Sequence, residues 1–246
     1  GGKEVATTDD KGFGGRQVFN ENGTNSTIKE LIFKGCHIEG YRAVVRAQGD
    51  NDNITNLTFD GCTINGVGDQ GIVTTSNKKA DWKNVTFKDC TITNIVMMGD
   101  LRASASELTV NVENCTFCYA PMETTANANT PLFRCDKNAV VININKTLFG
   151  PSMATEGSAG SKIKTYTAGT AGSLFLNASA ALVSTSQSFK TNFKWTELGE
   201  AKTTYPIDGL IELSFDEKAL WQGPEKGDYK IIGNIGESGI GASKWQ

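Results

Sequence analysis

Leu31 and Phe33, Leu57 and Phe59, and Val85 and Phe87 each stand two residues apart. That alternation is strand periodicity, because successive side chains of a strand point to opposite faces. Each phenylalanine is followed by a turn-forming pair, Lys34-Gly35, Asp60-Gly61 and Lys88-Asp89, at which the chain is expected to bend. Past the bend, Cys36 and Ile38, Cys62 and Ile64, and Cys90 and Ile92 start a second short strand with the same inward spacing. These segments are copies of one another: IKELIFKGCHI at 28–38, ITNLTFDGCTI at 54–64 and WKNVTFKDCTI at 82–92. LTVNVENCTF at 108–117 is a shorter version, and VVININKTLF at 140–149 a worn one. Cys36, Cys62, Cys90 and Cys115 mark the period at intervals of 26, 28 and 25 residues. A unit of this size, recurring in tandem, is the signature of a solenoid in which each repeat covers the apolar edge of the next.

A third strand emerges when the repeats are aligned further on, setting 43–47 beside 71–75, 99–103 and 131–135. In that alignment Val45, Val73, Leu101 and Phe133 face inward, and Arg46, Thr74, Arg102 and Arg134 face outward. Three strands and three bends per turn of about 26 residues predict an all-β fold, a parallel β-helix with coils stacked about 4.8 Å apart. A β-sandwich does not explain the cysteine column, and the leucine pattern of leucine-rich repeats is missing. A single domain over 1–246 is expected: an N-terminal cap or partial coil to 27, regular coils over 28–149, then a looser coil and a C-terminal cap. Trp195, Trp221 and Trp245 fall in that last part, where the repeat breaks.

Composition changes the picture in three places. A net charge of −3 and a single histidine argue against a nucleic-acid partner. No stretch reaches the roughly 18 apolar residues of a membrane span. Richness in Thr, Asn, Gly and Ser suits a secreted or surface-anchored β protein, and no signal-peptide pattern stands at the start, so a leader is expected outside this stretch.

The cysteine column reads as buried small residues. Cys115 and Cys118 have a metal-ligand spacing, yet with His37 as the lone histidine no four-ligand set assembles, so no metal is expected. Cys118 and Cys135 lie outside the column, which leaves a disulfide between them open. Asn53, Asn56, Asn84, Asn114 and Asn145 begin Asn-x-Thr triplets, but they recur at matching places in the repeat and read as bends and strands.

The arginine row carries the chemistry. Arginine forks suit carboxylates, and cations spaced from coil to coil suit an extended acidic glycan. The candidate ligand set is Arg46, Thr74, Asp100, Arg102 and Arg134, with Tyr41 and Tyr119 near the preceding bend as stacking surfaces. The competing reading is an ordinary solvated face with a few charges. Asp69 and Asp100 come from adjacent coils, but neither stands in a catalytic motif, so no catalytic residue is assigned.

The repeated N-L/V-T-F-x-x-C-T-I coil resembles pectate-lyase-like right-handed β-helix proteins. Within them it is most similar to secreted or lipid-anchored proteins of polysaccharide-degrading gut bacteria. The resemblance extends to 219–229, Ala-Leu-Trp-x-x-Pro-x-x-Gly-Asp-Tyr, and to the end, where Ala242-Ser243-Lys244-Trp245 replaces that group's Asp-Pro-Arg-Trp. It implies an extracytoplasmic protein whose partner is a polysaccharide. The catalytic sets of polygalacturonases and the calcium-binding acidic cluster of pectate lyases are missing. Non-catalytic glycan binding is therefore the first expectation. A polysaccharide lyase or glycoside hydrolase, using Ca2+ only in the lyase case, is the second. A purely adhesive or structural surface module is the third.

Overall fold

The computed structural model describes residues 16–75, 80–101, 107–121, 131–135, 140–151, 173–176, 181–191, 197–198, 204–205 and 210–246. The chain is a right-handed parallel β-helix with three strands per coil. Its first face stacks Thr27–Lys34, Asn53–Asp60, Asn84–Lys88, Leu108–Glu113, Val140–Asn145 and Ala181–Ser186 in parallel. The second face comprises the first halves of His37–Ala47 and Thr63–Thr74, then Thr91–Ile95, Thr116–Cys118, Leu148–Phe149, Ser188–Lys190 and Leu210–Glu212. The third begins with Gln17–Glu21 and continues through the second halves of the two long strands. It then runs through Gly99–Asp100, Pro131–Cys135, Ser173–Leu176 and Glu197–Leu198.

The interior is built from columns. Phe33, Phe59 and Phe87 stack with ring centroids 4.9 Å apart, and Phe117 and Phe149 stack at 4.8 Å. The cysteine column lies inside as expected, and it does more than fill space. Cys62 Sγ donates to Phe33 O of the preceding coil at 3.2 Å, Cys90 Sγ to Phe59 O at 3.4 Å and Cys115 Sγ to Phe87 O at 3.5 Å. Thr147 continues the column and donates to Val112 O, and Ser188 follows it, donating to Ser186 O at 2.9 Å. Thiol and hydroxyl thus play alike roles, each donating to a backbone carbonyl at the bend. The neighbouring thiol first, and burial second, push the Cys62 and Cys90 thiols well above the ordinary range, so both are inert donors.

Each column residue follows a residue in the left-handed region: Gly35, Gly61, Asp89, Asn114, Lys146 and Gln187, with φ between 44° and 63°. That conformation redirects the strand at the bend between the first two faces.

Residues 213–246 form a second apolar cluster outside the coils. Leu220, Trp221, Tyr229 and Ile240 cover Cys118, Leu148 and Phe189 on the outer side of the second face. Gly150 lets this happen, since a Cβ there would meet the Trp221 ring at 2.4 Å. The short helix Glu217–Leu220 is capped by Asp216, whose carboxylate accepts from Lys218 N and Ala219 N. Cys118 is a free, buried thiol, so the disulfide left open above is not formed by it. Among the described residues no helix is long and apolar enough to cross a membrane.

Candidate functional site

The third face places the row of interest, and its register differs from the expected one. Val73 pairs with Gly99 and Gly99 with Phe133, so the inward set is Val45, Val73, Gly99 and Phe133 rather than one containing Leu101. The next row is Asn20, Arg46, Thr74, Asp100 and Arg134. Asp100 therefore occupies the level expected for Arg102, which lies outside the described residues. The cause is a two-residue insertion in the second coil. Tyr41 pairs with Val67 and Ala43 with Gly71, whereas Val67 pairs with Ile95 and Val73 with Gly99. The extra pair lies between Val67 and Gly71 and is not repeated in the third coil.

The insertion has its own contacts. Asp69 receives two bonds from Arg42, Nε to Oδ1 at 2.8 Å and the terminal nitrogen to Oδ2 at 3.1 Å. Gln70 Oε1 accepts from Gln17 Nε2 at 2.9 Å. Arg42 and Asp69 form a geometrically specific fork that ties the first two coils together. Sequence reasoning passed over Arg42; its only signal is a carboxylate one period plus one residue away.

The third face is apolar on both sides. Val44, Ile72, Met98 and Leu132 alternate with the inward set and are nonetheless fully buried. The polar row beside them is sheltered in turn: Thr74 is 1% exposed and Asp100 6%, while Arg46 is intermediate. This is not the solvated face of the competing reading. Among the described residues, Arg46 Nε and Thr74 Oγ1 are buried without a hydrogen-bond partner. Buried polar atoms are ordinarily satisfied, and here two open ones stand on consecutive coils. Arg134 is level with Asp100 by its backbone, and its side chain lies outside the described residues.

The tyrosines do not join this row. Tyr41 packs on the interior of the first coil and Tyr119 on the outer cluster with Trp221. Burial pushes the Tyr119 phenol above its usual range. Asp69 is held by Arg42.

Two carboxylates do come together elsewhere. Ser26 Oγ lies 2.8 Å from Glu21 Oε1 and 2.9 Å from Asp52 Oδ1. A single Ser26 hydroxyl thus stands between two carboxyls. Burial first, and to a lesser degree the charge of Asp52, raise the Glu21 carboxyl from its ordinary range, against the lowering effect of the Ser26 bond. The pair closes the inner corner between the third and first faces, and Asp52 Oδ2 accepts Gly49 N at 2.7 Å. Among the described residues no group of three His, Cys, Asp or Glu side chains is arranged to hold a metal.

The chain matches no family model, no curated protein and no solved structure.

Proposed function

We propose that the protein is an extracytoplasmic, glycan-binding β-helix that engages an acidic polysaccharide along the third face. The observation that carries this reading is the pair of open, buried polar atoms on Arg46 and Thr74, one coil apart in a row that continues to Asp100 and Arg134. A guanidinium and a hydroxyl one coil apart, at about 4.8 Å, present the donors that a chain of hydroxyl- and carboxylate-bearing rings requires. The apolar row of Val44, Ile72 and Met98 beside them supplies the low-dielectric wall typical of ligand sites. The resemblance expected from the coil repeat, to pectate-lyase-like proteins, implies the same substrate class.

Native affinity electrophoresis against acidic and neutral polysaccharides tests this with two variants. Arg46→Ala is expected to weaken retardation by acidic glycans at least tenfold. Thr74→Val should also weaken it while leaving thermal stability equal or slightly higher, because the hydroxyl has no partner to lose. Uniform mobility across the panel overturns the proposal. Shortening of the glycan would establish a lyase or hydrolase on the same face.

A further inference from the structure

The C-terminal tail, residues 239–246, crosses the outer side of the second face from late coils to early ones. Gly241 N donates to Lys146 O at 2.8 Å, and Asn114 Nδ2 donates to Gly239 O at 2.8 Å. Ala242 N reaches Thr116 Oγ1 at 2.9 Å. One coil earlier, Asp89 accepts from Ser243 through both carboxylate oxygens, Oδ2 taking the hydroxyl at 2.7 Å, and Trp245 Nε1 donates to Thr91 Oγ1 at 2.8 Å. Earlier still, Lys244 Nζ donates to Thr63 Oγ1 at 2.6 Å. Thr63, Thr91 and Thr116 occupy one register position, so the track is a row of hydroxyls flanked by the bend residues Asp89 and Asn114. It spans about 14 Å at three coil spacings.

We propose that this track is a peptide-recognition groove whose ligand is the tail sequence, and that it accepts the tail of a second copy of the chain in place of its own. Three features carry the inference. Ser243, Lys244 and Trp245 each bond a different coil residue through their side chains, and a Cβ at Gly241 would meet Thr116 Oγ1 at 2.8 Å, which makes the track a reader of Gly-x-Ser-Lys-Trp rather than a generic surface. The segment before the tail has apolar anchors of its own, since Leu220, Trp221 and Tyr229 pack on Leu148 and Phe189 in the same cluster that takes Ile240 and Trp245. The approach to the tail contains Gly236 at φ 78° and Gly239 at φ 71°, where an added Cβ would meet nothing within 4 Å. Glycines in open space can re-aim the tail freely, and exchange of an identical element is a low-cost route to a symmetric dimer. Beside these bonds the tail is held by apolar contact: Ile240 and Ala242 are buried, and Trp245 packs edge-on against Tyr229 at 5.7 Å.

A fluorescently labelled synthetic peptide of residues 239–246, titrated with the full chain and followed by anisotropy, tests the groove. Trp245→Ala in the chain weakens the resident tail and leaves the groove intact, so it should bind the peptide at least tenfold more tightly than wild type. Adding Asp89→Ala should reverse that gain. Should Trp245→Ala fail to fold, Ser243→Ala with Lys244→Ala weakens the tail by another route and must give the same ordering. Equal affinity for wild-type and tail-weakened chains, or binding indifferent to Asp89, overturns the groove. Sedimentation of concentrated wild type should show a dimer that excess peptide dissolves, and a monomer at every concentration overturns the exchange.

Discussion

The bend after the first face is made twice by glycine and four times by something else. Gly35 and Gly61 turn the first two coils, and an added Cβ at either would meet nothing within 4 Å. Glycine is there for its backbone freedom alone, not for want of room. Asp89, Asn114, Lys146 and Gln187 take the same left-handed turn, which costs an ordinary residue about 1–2 kcal/mol. The difference follows the C-terminal segment. Asp89 binds Ser243, Asn114 binds Gly239, and Gln187 Nε2 reaches Glu237 Oε2 at 3.4 Å. Lys146 contributes only its carbonyl, to Gly241. Where the bend residue's own side chain holds the C-terminal segment, at Asp89, Asn114 and Gln187, the bend carries strain in exchange for a contact.

Replacing Trp221, fully buried and edge-on to Tyr229 at 5.4 Å, separates the two regions most forcefully. Trp221→Ala should cost about 3–5 kcal/mol. Hydrogen exchange should then rise across 213–246 while the first two coils keep their protection. Equal loss in both regions would mean that they unfold as one unit and that the contrast has no energetic content.

The first coil has its own signature, the Glu21–Ser26–Asp52 corner, which one coil later is filled by Ala80. Because the folded Glu21 carboxyl is raised, the folded chain holds a proton that the unfolded chain releases. Its contribution is complete below the ordinary carboxylate pKa and is lost as pH rises through the raised value. Melting temperature should therefore fall over that mildly acidic window. Glu21→Gln, which keeps a neutral donor, should flatten the slope; an unchanged slope would remove Glu21 as its source.

The bends themselves give the smallest effect and the sharpest comparison. Lys146→Gly should stabilise by about 1 kcal/mol, since strain is relieved and the Gly241 bond is to backbone. Asp89→Gly relieves the same strain but forfeits the Ser243 bonds, so denaturant midpoints should rank it below Lys146→Gly, with tail protection lost only at Asp89. The reverse ranking would show that the side chains at these bends do not hold the tail.

Much of this was readable in the chain. The Phe-x-x-Cys spacing placed two strands and their bend because every coil solves the same packing problem with nearly the same residues. The third strand was harder to place, since the two residues inserted between Val67 and Gly71 shift one coil and not the next, and periodicity alone carried that shift forward onto Arg102. Burial of the polar row was hidden for a different reason: Val44, Ile72, Met98 and Leu132 resemble an ordinary inward set until alternation shows them on the other side. The track beneath the tail had a trace in Thr63, Thr91 and Thr116, yet its partner lies more than 120 residues away in sequence. No local pattern encodes such a pairing.

The direction of the tail has a mechanical consequence. Its bonds fall on successive coils, with Gly241 over the latest and Lys244 over the earliest. A load on the C-terminus directed toward the late coils would open them one after another, like a zip, with little resistance. A load directed along the axis toward the first coil would stretch the same bonds together, in shear. The molecule is therefore expected to be soft to one pulling direction and stiff to the other.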